Sequence, residues 1–110
     1  MAYDVALADE IRAALDGSSG ITEWRMFGGL SFLVDGNLAV AVRGSGGILV
    51  RVGADAADDL LRTTPARQAV MGGRVMTGWL DVDADHLGTE EEVSAWVRRG
   101  VDFAGSLPPK

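Results

Sequence analysis

Asp35-Gly36 stands between two alternating apolar runs: Leu30, Phe32 and Val34 interleave with Ser31 and Leu33 before it, and Leu38, Val40 and Val42 with Ala39, Ala41 and Arg43 after it. A two-residue Asp-Gly link of this kind needs positive φ, which Gly accepts freely, and its twist matches that of two antiparallel strands. Gly44-Ser45-Gly46-Gly47 then forms a second short turn, and Ile48, Val50 and Val52 continue the period of two. Turns this short exclude parallel neighbours, which need a crossover of a dozen or more residues. A three- or four-stranded antiparallel meander over residues 24–52 is therefore predicted.

Helical periodicity flanks the meander. Tyr3, Leu7, Ile11 and Leu15 recur every four residues, with Asp4 placed as an acid in the first turn and the 17–20 Gly/Ser stretch as the stop. Residues 54–62 predict a second helix, with Ala57, Leu60 and Leu61 inward and Asp55, Asp58 and Asp59 outward, interrupted by Pro65. Two short strands, 72–77 and 79–82, are expected around Gly78. Thr89 with Glu92 fits a capping box for a last helix, whose buried stripe is Val93, Trp96, Val97, Val101 and Ala104. The order α-β(3-4)-α-β(2)-α implies a two-layer α+β sandwich, with helices on one antiparallel sheet, in a single domain over 1–110.

The chain has 110 residues, no cysteine and a net charge of −6. That length supports one self-sufficient core. The missing cysteines exclude disulfides, thiolate metal sites and cysteine nucleophiles. No apolar run approaches the ~18 residues of a membrane helix and no signal peptide precedes the first helix, so a cytoplasmic protein is expected. The negative charge opposes autonomous binding to a phosphate backbone.

Few residues offer chemistry. His86 is the single histidine, set in an acidic loop, and Gly29-Leu30-Ser31-Phe32-Leu33 lacks the last glycine of a nucleophile elbow. The 44–47 glycines lead into a strand, whereas a phosphate loop leads into a helix. Asp81, Asp83, Asp85 and Glu92 fall at positions 1, 3, 5 and 12 of a calcium-loop spacing. They are the candidate metal ligands, but His86 occupies the position that wants Gly and Glu92 already serves the capping box. Arg43 and Arg51 flank the 44–47 turn at positions that can share a face, and form the candidate contact for an acidic partner or for DNA. The plainer account is outward strand residues that discourage edge pairing. Trp24, Trp79 and Trp96 each lie in an apolar pattern and are expected as core anchors.

Met26-Phe27-Gly28-Gly29, followed by an apolar strand, Asp35-Gly36 and a second apolar strand, resembles the N-terminal domain of the TfoX/Sxy family. The likeness continues through Ile48-Leu49-Val50-Arg51-Val52 and, more weakly, to residues 76–79. It implies a small bacterial α+β domain without catalytic residues or cofactor, standing alone without the second domain of the competence regulators in the family. By that resemblance the chain is a non-catalytic regulatory or adaptor domain in transcriptional or competence-type regulation. It would act through protein contacts, with a homodimer as one form; direct DNA binding through the Arg43–Arg51 hairpin is the alternative. The motif residues have structural duties: Gly28 and Gly29 permit a bulge or positive-φ turn before the hairpin, and Met26 and Phe27 would seat that corner in the core.

Overall fold

The computed structural model describes residues 3–26 and 28–110. Helix α1 (Val5–Ala14) precedes strands β1 (Ile21–Met26), β2 (Gly29–Val34), β3 (Asn37–Val42) and β4 (Ile48–Arg51). Helix α2 (Ala54–Thr63), strands β5 (Arg67–Met71) and β6 (Arg74–Val82), a 3-10 turn (Ala84–His86) and helix α3 (Glu90–Gly105) complete the chain. All strands join one antiparallel sheet in the order β1-β2-β3-β4-β6-β5. The α+β sandwich and its element order agree with the sequence pattern. The meander has four strands and begins at Ile21.

The hairpin forms as its dipeptide demands, with Asp35 at φ 50° and Gly36 at φ 87°. The 3.6-residue period of the helices also meets its purpose. Leu7, Ala8, Ile11 and Leu15 of the α1 region are buried, and the Asp4 carboxylate caps that helix by accepting from the Leu7 N–H at 3.1 Å. Thr89 and Glu92 complete the capping box of α3. Val93, Trp96, Val97 and Ala104 are buried as α3 lies across β3 and β4, while α2 packs on β6.

One stripe of the sheet meets these helices. Leu30 pairs with Val42, Val42 with Ile48 and Ile48 with Val82; Phe32, Val40, Val50 and Leu80 form the parallel row. All are almost fully buried. At 25 cal/mol per Å² of apolar area removed from water, each such side chain contributes about 1.5–3 kcal/mol relative to exposure. A register shift after Phe32 inserts Ala39 as an extra residue in β3 and turns it toward α3, where it meets Val34 and Ala104.

Three expectations are corrected. Gly72 and Gly73, at φ 60° and 79°, are the β5–β6 hairpin turn and not the start of a strand. Gly78 lies within β6, where a Cβ would come within 3.1 Å of the Gly53–Ala54 backbone, so the glycine allows a close approach there and not a turn. Trp24 is 63% exposed and no core anchor, because β1 is an edge strand and no helix covers that side of it. Trp96 is buried and Trp79 half-buried. Phe27 lies outside the described residues.

Candidate functional site

All three α-helices pack on the same face, and the opposite face of the sheet curls around a cavity of about 570 Å³. Its floor follows the second set of register partners: Ser31 faces Ala41, Ala41 faces Leu49 and Leu49 faces Asp81. Leu38, Ala69, Met76 and Trp79 extend this floor, while Met26 from the β1–β2 corner and Val70 and Met71 from the β5–β6 hairpin form the rim. Met26 is thus half-buried at a cavity margin and not seated in the core. Gly28 turns the chain there at φ 76°, and Gly29 approaches β3 so closely that a Cβ would sit 2.1 Å from the Val42 carbonyl oxygen.

The rim and the hairpin beside it are unusually apolar for a surface. Val70, Met71 and Val75 are 51%, 45% and 64% exposed, all on or beside the Gly72-Gly73 turn. A single exposed apolar side chain is ordinary, but a cluster bordering a concave apolar floor marks an interaction site. The Ala69 carbonyl is held by the Gln68 side chain, whose amide nitrogen also donates to the Met76 carbonyl at 2.8 Å. That anchoring fixes the bulge by which β5 bends over the cavity.

An ion pair lies in the cavity wall. Arg43, beside the 44–47 turn, donates through Nη1 to Asp81 Oδ1, and the Asp81 side chain is only 14% exposed. Arg51 does not line the cavity; it sits at the far end of β4, its guanidinium 5.2 Å from the Trp79 ring centre and 5.5 Å from that of Phe103 in α3. Both arginines are therefore engaged within the fold, one by charge and one by its cation–π contacts. Among the described residues, no fully buried side-chain nitrogen or oxygen lacks a hydrogen-bond partner.

The acidic candidates do not converge. Asp81 is held by Arg43, Asp83 accepts from Arg67 at 2.6 Å, Asp85 lies in the 3-10 turn and Glu92 caps α3. No cluster of three or more His, Asp or Glu side chains suited to a metal occurs among the described residues. Ser31 belongs to β2 and is buried on the cavity floor, whereas His86 ends the 3-10 turn before α3. No helix among the described residues is long and apolar enough to cross a membrane.

The rim residues Val70 and Met71, the exposed Val75 beside them and Met76 of the floor are not singled out by sequence reasoning. The signal was present: apolar residues mirrored about a Gly-Gly pair are a hairpin signature of the same kind as Asp35-Gly36.

Fold and site together define a two-layer α+β domain with one helix-covered sheet face and one open apolar face. The family model for the TfoX N-terminal domain matches residues 13–104, and the chain belongs to that family. No curated protein and no solved structure matches it.

Proposed function

We propose that this chain is a non-catalytic adaptor domain that engages a partner protein through the open face of its sheet, in the transcriptional or competence-type regulation associated with its family. The observation that carries this reading is the apolar rim of Met26, Val70 and Met71 around a cavity lined by Leu49, Met76 and Trp79. Apolar anchors set in a concave, desolvated pocket supply most of the free energy of protein–protein binding. The partner that fits presents an apolar side chain flanked by basic residues, which complement a domain of net charge −6. Methionines adapt their shape to such an anchor at little cost.

The test is co-purification from the cells of origin with the wild-type chain and with the double substitution Val70→Asp/Met71→Asp. Both positions are exposed, so the variant is expected to fold normally and to lose the partner. A partner retained by the variant, or none captured by the wild type, would overturn the proposal.

A further inference from the structure

The sheet has two edges, and they differ. β5 is interrupted by a register shift between Gln68 and Val70 and bends over the cavity. β1 runs for six residues in unbroken register with β2, contains no proline, and exposes Thr22, Glu23, Trp24 and Arg25. A straight, uncovered edge is a template for another strand, which soluble proteins normally interrupt or cover.

The backbone of β1 fixes which residues could accept that strand. The Asp35 N–H donates to the Gly20 carbonyl at 2.9 Å, which makes Gly20 and Asp35 a hydrogen-bonded pair in line with the β1–β2 register. Alternation along an antiparallel ladder then turns the backbone groups of Thr22, Trp24 and Met26 toward β2, and those of Ile21, Glu23 and Arg25 away from the sheet. A second strand must bond to the outward set, which restricts the allowed registers.

Three of these registers centre on the charged part of the edge. With a two-fold axis at Glu23, like carboxylates oppose each other; with the axis at Arg25, like guanidiniums do. With the axis at Trp24, Glu23 of each chain lies opposite the partner's Arg25, both through outward-facing backbone groups. Opposite charges directly across strands attract and like charges repel, so one register is selected and its neighbours are penalised.

The side chains agree with this register. Glu23 is held in place by Arg12, whose Nε and Nη2 each donate to it at 2.7 Å. Arg25 is exposed and makes no ion pair among the described residues. Trp24 projects to the opposite side, 63% exposed, and would face its own copy at a non-hydrogen-bonded position, where side chains come closest. Aromatic pairs across strands are among the favourable ones, which accounts for a tryptophan on an otherwise polar edge.

We propose that the chain forms a two-fold dimer by antiparallel pairing of β1 with β1 of a second copy, centred on Trp24, joining two six-stranded sheets into one. The interface is the strand edge, and of the rim residues named above it shares only Met26, which ends β1.

Sedimentation velocity tests it directly. The wild type is expected to dimerise, and Arg25→Glu to weaken the dimer by at least about tenfold, because two attractive cross-strand pairs become two repulsive ones. Its circular dichroism should be unchanged. The chain has no cysteine, so register can be read by crosslinking. Trp24→Cys should give a disulfide-linked dimer on mild oxidation. Thr22→Cys should not crosslink to itself, but should crosslink to Met26→Cys in a mixture. A wild type that stays monomeric at millimolar concentration would overturn the proposal, as would a dimer indifferent to Arg25→Glu or one that links through Thr22→Cys alone. Val70→Asp/Met71→Asp should leave the dimer intact. Loss of the dimer in that variant would move the interface to the cavity face and overturn the β1 register.

Discussion

Gly100 lies where α3 crosses β3, and a Cβ there would sit 2.5 Å from the Ala39 carbonyl oxygen and 3.1 Å from Val50 Cγ1. The glycine sets how closely the helix layer approaches the bulge in the sheet. Replacing it with alanine has two opposed effects. Helix propensity favours alanine by about 1 kcal/mol, while forcing a methyl against a fixed backbone oxygen costs typically 1–3 kcal/mol. The clash is with main chain and cannot be relieved by a rotamer change, so Gly100→Ala should lower stability in urea denaturation. Gly105 ends the same helix, and its nearest outside atom is an ordinary 3.9 Å away. Gly105→Ala should therefore be neutral or stabilising. A stabilising Gly100→Ala would show that α3 does not sit this close to β3.

At the scale of elements, α1 is tied to the edge strand β1 by the Arg12–Glu23 pair. The hydrogen bonds from Arg12 hold the Glu23 carboxyl below its ordinary pKa, partial burial opposing them, and the same contacts raise that of Arg12. A carboxyl with a lowered folded-state pKa contributes stability that is fully present above its unfolded value, about 4.3. That contribution disappears as the pH falls through the folded value. Both side chains are more than a third exposed, so solvent screening keeps the effect small. In protein dilute enough to be monomeric, Glu23→Gln should be slightly less stable than wild type at pH 7, and the difference should vanish in acid. A gap that persists at low pH would assign it to packing and not to charge.

Elements also show what sequence could reveal. The β2–β3 hairpin was legible because Asp35-Gly36 admits few conformations, and α3 because Thr89 and Glu92 specify a local geometry. Trp24 was misread because hydrophobicity alone does not say whether a strand lies at an edge. The break between strands was placed at Gly78 and not at Gly72-Gly73 because positive φ serves a turn and a close backbone approach equally well. The cavity was hidden for a different reason. Its lining comes from all six strands, and only the strand order β4-β6-β5 brings those residues onto one surface. Local pattern carries no information about that order.

For the whole molecule, the distribution of charge bears on the choice between protein and nucleic-acid partners. Of nine arginines, Arg12, Arg43, Arg62 and Arg67 are held in ion pairs, and Arg51 and Arg99 lie over aromatic rings. Arg25, Arg74 and Arg98 are spread over β1, the β5–β6 hairpin and α3, and form no stripe that could follow a phosphate backbone. Sixteen acids surround them. Binding to duplex DNA releases counterions in proportion to the phosphates neutralised, giving a log–log salt slope of about −0.9 per contact. A domain that must first break the Arg43–Asp81 pair and lift Arg51 from two rings gains little from such release. Fluorescence anisotropy with duplex DNA at about 50 mM salt should therefore show no saturable binding, although low salt favours every electrostatic contact. Saturable binding whose salt slope shrinks in Arg43→Ala/Arg51→Ala would reverse this assignment and make the 44–47 hairpin a DNA contact. A flat titration, beside partner capture that depends on Val70 and Met71, would place recognition on the open face of the sheet.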